Sequence, residues 1–364
     1  MKRDISPQKR KQKIVLSYLS TLLLLTAGFG NKTLSANSVE KIQNKIKLEF
    51  KEIADIGIQE AKTNEEEPYQ LAGVFCIDCD AEGNIYLLDH TVDCLKKFTK
   101  DGKYQKTILT KGDGPSEILN SFSFAFNRYS NTLFVLQQYG YVIKEYDLDG
   151  KSLKRYILPD QFYSLFEFID RDRFVYISME LPSEKDDSCL KIFNIRTNTV
   201  EKKFASFKHE TSFNVVKRYA FSDDVLWTST DDLMGLSAFN LKNGNQIERL
   251  EMPGEFKKNY VKIVEEGNGY NLQQRILYNY LQPFLIDQTL YVFFTRQEYK
   301  GELGKGKSYP ERSTLILYMV SDSRFQLVEN FKGYDNMKFS RVRGSRILLY
   351  ADEPFPRVKV IEVH

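Results

Sequence analysis

Residues 80–89 read Asp-Ala-Glu-Gly-Asn-Ile-Tyr-Leu-Leu-Asp, a polar turn that leads directly into a short apolar run. Similar aromatic and aliphatic runs recur along the chain, at 85–88, 133–136, 174–177, 226–229, 290–294 and 347–350. Their starting points are separated by 41 to 64 residues. A strand-rich repeat of about 40–50 residues is typical of β-propeller blades. The sequence therefore predicts an all-β, six-bladed β-propeller with four antiparallel strands, A to D, in each blade.

The last of these repeats is incomplete. Turn residues and alternating strands place the blades at about 70–110, 120–158, 162–206, 214–253, 281–332 and 336–364. The sixth blade has only three strands before His364. A spare strand is present at 46–56, where apolar and polar residues alternate from Ile46 to Ile53. We expect this N-terminal strand to pair with 357–363 and close the last blade, which removes two exposed sheet edges.

The first 36 residues differ from the rest of the chain. Basic residues between Lys2 and Lys13 precede an apolar stretch of 17 residues, Ile14 to Gly30, and small residues follow up to Ala36. This pattern is typical of a secretory signal. The alternative is a retained N-terminal membrane anchor, since the stretch is just long enough to span a bilayer. Residues 37–364 would then form a single propeller domain outside the cytoplasm, in the periplasm or at the cell surface.

The charge of the chain is concentrated in that leader. Residues 1–36 contain seven Lys or Arg and one Asp, so the formal net charge of +3 becomes −3 without them. Binding to nucleic acid requires a clustered basic face, and we expect no nucleic-acid partner. The expected partner is a protein, peptide or glycan of the cell envelope. Membrane contact is expected only through an uncleaved N-terminal segment.

The four cysteines include a Cys-x-x-Cys pair, Cys76 and Cys79, along with Cys94 and Cys189. In other contexts this spacing indicates redox or zinc chemistry. Here the pair lies in a predicted strand, where three residues of extended chain separate the Cα atoms by about 10 Å. A disulfide cannot span that distance, so we expect buried or half-buried free thiols.

The first blade and its exit loop resemble a known family. Residues 80–89 and 95–104 resemble an NHL-type propeller repeat. Residues 111–117, Lys-Gly-Asp-Gly-Pro-Ser-Glu, are similar to the Gly-x-Gly-Pro-x-Glu loop of the extracytoplasmic six-bladed propellers of Bacteroides-like bacteria. The resemblance implies the propeller fold and export, and it assigns no chemistry. Many relatives carry a lipoprotein Cys after the leader, which this sequence lacks.

Loop lengths distinguish the two faces of the predicted disc. The A–B and C–D turns are short, and we call their side the short-turn face. The B–C loops and the connections between blades lie on the opposite side, the long-loop face. The long segments all fall there, at 110–120, 180–188, 253–282 and 296–313. Elaborated loops on a rigid scaffold often carry binding, so we expect the functional site on the long-loop face.

The connection 253–282 supplies most of the candidate ligand-binding residues. It interleaves basic and aromatic side chains, namely Lys257, Lys258, Tyr260, Arg275 and Tyr278. Such a mixture suits a sugar, a peptide or an anionic ligand. The alternative is a loop packed by its own side chains. A short helix is expected at about 271–280, and His90, at the end of a B strand, is a further candidate on this face.

The predicted channel is more cationic than a metal site. Its A strands offer Glu167, Lys217, Arg218, Lys338 and Arg341. Calcium prefers carboxylate and carbonyl oxygens, so Arg218 and Arg341 are instead candidate anion ligands, with charge pairs between blades as the alternative.

We assign no catalytic residue, metal ligand or cofactor. Calcium is the one conceivable ion, because residues 78–84 resemble a calcium-binding loop that lacks its twelfth-position Glu. We expect a binding module, with an NHL/lactonase-like hydrolase or lyase with a channel metal as the alternative function.

Overall fold

The computed structural model of the protein describes residues 48–162, 166–178, 188–206, 219–222, 224–229, 235–251, 275–299 and 312–364. The strands of these residues form six antiparallel sheets, one for each blade. The prediction of a six-bladed all-β propeller is therefore confirmed. Two short 3-10 helices, Glu67–Tyr69 and Gln138–Gly140, lie between strands.

The strands follow one another from the channel outwards in each blade. The first strand among the described residues, β1 (Phe50–Ile56), belongs to the last blade. Blade 1 contains β2 (Val74–Cys79), β3 (Ile85–Asp89), β4 (Cys94–Phe98), β5 (Tyr104–Lys111) and a short extra strand, β6 (Glu117–Ile118). Blade 2 contains β7 (Ser123–Asn127), β8 (Thr132–Gln137), β9 (Val142–Tyr146) and β10 (Ser152–Ile157). Blade 3 contains β11 (Glu167–Phe168), β12 (Arg173–Ile177), β13 (Ser188–Asn194) and β14 (Thr199–Ser206).

The second half of the ring repeats this order. Blade 4 contains β15 (Tyr219–Ser222), β16 (Val225–Ser229), β17 (Gly235–Asn240) and β18 (Gln246–Glu251). Blade 5 contains β19 (Arg275–Ile286), β20 (Thr289–Tyr299), β21 (Arg312–Ser321) and β22 (Arg324–Leu327). Blade 6 contains β23 (Lys338–Arg343), β24 (Arg346–Ala351), β25 (Arg357–Val363) and, outermost, β1.

The hydrophobic core lies between the blades. In the described residues, buried apolar side chains form six clusters, and each cluster joins two neighbouring blades. The second strand of each blade is therefore covered on both faces. In blade 1, for example, Ile85 and Leu87 pack towards blade 6 while Tyr86 and Leu88 pack towards blade 2. This explains why the repeated runs are continuously apolar and do not alternate.

The N-terminal strand closes the ring. In the described part of the predicted segment, β1 pairs antiparallel with β25, from Phe50 opposite Val363 to Ile56 opposite Val358. Beyond the strand, the backbones of Glu49 and His364 exchange two hydrogen bonds, of 3.0 and 2.9 Å. The expected completion of blade 6 by the N-terminal strand is confirmed. The outer edge of β25 is thereby covered by another part of the same chain.

Blade 5 differs from the prediction. The strands β19, β20 and β21 have 12, 11 and 10 residues, whereas the corresponding strands β2, β3 and β4 of blade 1 have 6, 5 and 5. The helix expected at 271–280 is wrong, because residues 275–280 belong to β19 and pair with β20. This segment is rich in aromatic and aliphatic residues, which favour strands. Pairing with β20 gives its backbone the partners that an isolated helical turn would lack.

A second departure from the four-strand plan occurs at the exit of blade 1. The strand β6 runs parallel to β5, with Thr110 opposite Glu117 and Lys111 opposite Ile118. The Glu117 carboxylate turns back and accepts a hydrogen bond from the Gly114 amide at 2.6 Å. Gly112 adopts a φ of +151°, and a Cβ atom there would lie 2.1 Å from Glu117 Oε2. The loop is thus held by local contacts, as expected for a Gly-rich turn.

The closing strand provides the first test. Ile56 is fully buried between blades 6 and 1, and Ile56→Ala should lower the free energy of unfolding by about 2–5 kcal/mol, since it removes buried methylene groups and leaves a cavity. Lys51→Ala, on the exposed side of the same strand, should stay within about 0.5 kcal/mol of the parent chain. Urea unfolding measures both variants. An Ile56→Ala chain as stable as the Lys51→Ala chain would contradict the closure.

Candidate functional site

A buried arginine lies at the centre of the channel. Arg341, on β23 of blade 6, donates from Nη1 to Asp78 Oδ2 and to Glu167 Oε2, both at 2.9 Å. From Nη2 it donates to the carbonyl oxygens of Phe124 and Phe166, both at 3.0 Å. These acceptors belong to blades 1, 2 and 3, so a single guanidinium on blade 6 is bonded to three other blades. Blade 3 lies opposite blade 6, and Arg341 therefore reaches across the axis.

A second arginine holds the same two carboxylates. Arg343 donates from Nη2 to Asp78 Oδ2 at 2.9 Å and to Glu167 Oε2 at 2.7 Å, and its Nε also bonds to Asp78. The Asp78 side chain is fully buried. Burial opposes its ionisation, but the charges of Arg343 and Arg341 prevail and lower the pKa of Asp78 to about 2. Asp78 is thus an ionised carboxylate whose charge is already matched.

The sequence left two alternatives for Arg341, anion binding and charge pairs between blades. The structure contains charge pairs between blades, from Arg341 to Asp78 and to Glu167. Lys338 does not take part, because it is half exposed and pairs with Asp352 of its own blade at 2.6 Å. Its expected place among the channel cations is wrong, since its ammonium group lies over the Tyr350 ring of its own blade, 5.6 Å from the ring centroid. Lys217 and Arg218 lie outside the described residues.

A cavity lies beside the arginine cluster. Its volume is about 260 Å³. Among the residues that the structure describes, fifteen line it, namely Phe126, Arg128, Tyr129, Glu167, Phe168, Tyr219, Ala220, Pro283, Phe284, Leu285, Phe339, Ser340, Arg341, Val342 and Arg343. Arg128 and Tyr129 belong to the A–B turn of blade 2, and Arg343 is the last residue of its A strand. The cavity therefore lies towards the short-turn face, opposite the face that loop length favours.

Arg128 is the one cavity arginine that donates no hydrogen bond in the described part of the chain. Its side chain remains accessible to water. The charged groups of the channel nevertheless shift the pKa of its guanidinium. Burial lowers the pKa of Arg128, and the nearby charge of Arg343 lowers it further. Both effects disfavour the cation, which an incoming anion would stabilise.

His90 lies at the opposite mouth, on the long-loop face. It follows β3, and its Nδ1 is 2.6 Å from the carbonyl oxygen of Ser121. A carbonyl oxygen can only accept, so Nδ1 carries the proton. The imidazole ring contacts the rings of Phe75 and Phe122, with centroids 5.6 Å away in both cases. His90 thus joins blade 1 to blade 2 within a small aromatic group.

The structure describes the remaining candidate ligand-binding residues only in part. Lys257, Lys258 and Tyr260 lie outside the described residues. Arg275 and Tyr278 lie in β19, where only their backbone is described. The described residues therefore do not bring the predicted ligand-binding residues together. Arg341 lies in the channel and His90 on the long-loop face.

The turn that resembles a calcium loop is occupied by its own hydrogen bonds. Asp80 accepts from the Asn84 amide at 2.8 Å, from Asn84 Nδ2 at 2.9 Å and from the Tyr86 hydroxyl at 3.1 Å. Its neighbour Asp78 faces the two arginines. Among the residues that the structure describes, no group of three or more His, Cys, Asp and Glu side chains is placed to hold a metal. Calcium binding stays a prediction.

The cysteines of the first blade are free thiols, as expected from the length of the strand that separates the pair. Cys76 and Cys79 are buried and Cys94 is partly buried, all three unbridged. Burial, helped by the negative charge of Asp78, raises the pKa of Cys79 to about 12. Burial also raises the pKa of Cys94 to about 11. The side chain of Cys189 is not described. These thiols are poor nucleophiles at neutral pH.

Three residues of the channel escaped the sequence analysis. Arg343 lies two residues after Arg341, so it points to the same side of β23, and that alternation was a usable signal. Asp78 had drawn attention only as part of a calcium-like turn. Arg128 lies in a turn beyond its A strand, and no sequence pattern indicates that it reaches the channel.

Two solved structures with the same fold come from Bacteroides species. A proposed exported protein of Bacteroides fragilis is 14% identical at a TM-score of 0.55, covering 87% of this chain and 95% of its own. A DUF4221 family member of Bacteroides vulgatus is 14% identical at a TM-score of 0.51, covering 87% and 99%. At such identity the likeness concerns the fold alone.

A family of 6-bladed beta-propellers, DUF5128, matches residues 30–229. No curated protein sequence matches the chain. Within its described residues, none of the helices has the length and hydrophobicity needed to cross a bilayer.

The charge cluster predicts a specific dependence of stability on pH. The pKa of Asp78 is 3.8 in its ordinary state and about 2 in the folded chain. Its contribution to stability is therefore complete above pH 4 and is lost as the pH falls towards 2, at a cost of about 2 kcal/mol. Urea unfolding of the parent chain and of Asp78→Asn should differ most at pH 5 and least at pH 2. Asp113→Asn, at an exposed site, should keep the parent's pH profile. A constant difference between Asp78→Asn and the parent would contradict the pairing.

The thiols give a second, independent test. In a Cys189→Ser chain at pH 8, a thiol-specific reagent such as DTNB should react slowly with the folded protein, because Cys76 and Cys79 are buried and the raised pKa of the partly buried Cys94 keeps its thiol protonated. In 6 M guanidinium chloride all three should react at once. Rapid labelling of Cys76 and Cys79 in the folded chain would show that β2 is not buried as described. A thiol count that rises only after reduction would show a disulfide.

Proposed function

The chain belongs to the DUF5128 family of 6-bladed beta-propellers, and from this premise we propose that it is an exported binding module. It recognises a peptide, a glycan or a partner protein at its long-loop face. The ring supplies a rigid platform, and the binding residues stand on one side of it. The leader at residues 1–36 is the feature that supports export.

The observation that carries the proposal is the length of blade 5. The strands β19 and β20 continue about six residues beyond those of blade 1, which corresponds to about 20 Å of extended chain. The first strand of a blade begins at the long-loop face and the second ends there, so the extra length belongs to that side. β19 also contacts β16 and β17 of blade 4. This extended arm is a scaffold of the kind on which binding residues are commonly placed.

The mouth of the channel on this face adds an aromatic surface. Phe75 is 38% exposed and contacts His90, which in turn contacts Phe122. Exposed aromatic rings suit the faces of sugars and the side chains of peptides. In the proposal, Lys257, Lys258, Tyr260, Arg275 and Tyr278 provide the basic and aromatic contacts near the arm, and His90 lines the channel mouth.

The channel chemistry favours binding over catalysis. A hydrolase or lyase with a channel metal needs carboxylates that are free to coordinate the ion or move a proton. Asp78 and Glu167, the two carboxylates of the described cluster, are both bonded to Arg341 and Arg343. A carboxylate with a pKa of about 2, as in Asp78, is a weak base near neutral pH. These groups are suited to holding the blades together.

The proposal predicts a loss of binding on one face only. Fluorescently labelled chain is applied to a glycan array and to a peptide array, and each ligand found is then measured by calorimetry. The triple variant Lys257→Ala, Lys258→Ala, Tyr260→Ala should bind at least about tenfold more weakly, because it removes charged and aromatic contacts worth several kcal/mol together.

The matched control is the double variant Lys100→Ala, Lys103→Ala, which replaces two exposed lysines of the short-turn face. It should stay within about twofold of the parent affinity, as expected for surface positions away from the ligand. Equal weakening in both variants would reflect loss of charge alone. Unchanged binding in the triple variant would place the site elsewhere.

A further inference from the structure

We propose that the cavity near the short-turn face is a separate binding site for a ring-bearing monocarboxylate, with Arg128 as the residue that receives the carboxylate. The site is independent of the long-loop face, since its walls come from the channel strands and from the A–B turn of blade 2. Its ligand is a small molecule, because the cavity is bounded by the ring of blades. Four observations support the proposal.

The first is the uneven use of the arginine donors. The Nη atoms of Arg341 and Arg343 donate to the carboxylates of Asp78 and Glu167 and to backbone carbonyl oxygens. Arg128 donates to none of the described residues, although it lines the cavity with them. The buried Nε of Arg341 also lacks an acceptor among the described residues. A guanidinium whose hydrogen-bond donors are not used by the described residues is a strong partner for a carboxylate, which it can bind through two parallel hydrogen bonds.

The second is the charge balance. The described cluster contains three guanidinium groups, on Arg128, Arg341 and Arg343, and two carboxylates, on Asp78 and Glu167. Among the described residues of the cluster one positive charge remains over, and a single negative charge on the ligand neutralises it. A dianion would bring an excess negative charge next to the Glu167 carboxylate, which is unfavourable because like charges repel at short range. The cluster therefore favours a carboxylate over a doubly charged phosphate.

The third is the aromatic wall around this charge. Phe126, Phe168, Phe284 and Phe339 are almost completely buried and contribute to the cavity lining. Tyr129 stands at the rim, where its hydroxyl donates to the carbonyl oxygen of Ile169 at 3.1 Å and fixes the ring. Aromatic surfaces favour planar or apolar ring faces. The site thus combines one anion-binding end with an apolar body.

The fourth is the size. A cavity of about 150 Å³ in another protein holds benzene. The cavity described here, at about 260 Å³, therefore has room for one six-membered ring together with its carboxylate. It is too small for a folded segment of a partner. Size, charge and lining agree on a ligand such as an aryl acid or a sugar acid.

Calorimetry with four probes tests the proposal on the complete chain. The probes are phenylacetate, glucuronate, acetate and inorganic phosphate. Phenylacetate or glucuronate should bind, and the stronger of the two identifies the ring. Acetate should bind at least about tenfold more weakly, because it lacks the ring that contacts the aromatic wall. Phosphate that binds more tightly than both ring acids, or acetate that equals them, would overturn the assignment.

Arg128 supplies the variant. Arg128→Gln should weaken binding of the ring acid by about ten- to a hundredfold, the effect of losing a charge-assisted hydrogen bond. Arg128→Lys, which keeps the charge without the planar fork, should fall in between. Because Arg128 bonds to none of the described residues, the melting temperatures of these variants should equal that of the parent, and this readout separates lost binding from lost folding.

Arg171→Gln, at an exposed arginine of the next A–B turn that does not line the cavity, is the matched control and should bind like the parent. Full affinity in Arg128→Gln, or no binding of either ring acid to the parent, would refute the site. The triple variant at Lys257, Lys258 and Tyr260 should retain binding of the ring acid, so failure of one site leaves the other testable.

Discussion

The pairing of β1 with β25 is the constraint on which the rest of the molecule depends. Six blades form a closed ring only if the last blade presents a complete sheet to the first, and in this chain the outermost strand of that blade comes from the N-terminal side. Each hydrophobic cluster lies between two blades, so a gap at one position would expose two apolar faces. Closure therefore couples the stability of every blade to residues that are about 300 positions apart in the sequence.

The centre of the ring is organised by polar contacts of a different kind. Hydrophobic packing between blades tolerates small displacements, because apolar contacts have little directional preference. The hydrogen bonds of the Arg341 guanidinium do not tolerate such displacements, since each has a defined partner on blade 1, 2 or 3. Burying such a charge is costly and gains stability only when its partners are well placed. We therefore regard Arg341 as the group that fixes the relative positions of the inner strands.

The sequence predicted the architecture because the repeated signal is strong. Turn residues and apolar runs define six blades, and the alternation at Ile46 to Ile53 indicated the closing strand. Blade 5 was predicted poorly, because the segment from Arg275 onwards reads as a connection until its pairing with β20 is known. The cavity could not be predicted. It is lined by residues from several blades, including Arg128 of a turn, and their proximity depends on the assembled ring.

The reach of Arg341 across the axis has a consequence for how small molecules exchange with the protein. Its bonds to Glu167 and to the Phe166 carbonyl oxygen bridge opposite walls, so the guanidinium narrows the channel at that level. A molecule in the cavity, which lies towards the short-turn face, meets this crossing on its way to the other mouth. We therefore expect exchange between the two faces of the disc to depend on Arg341.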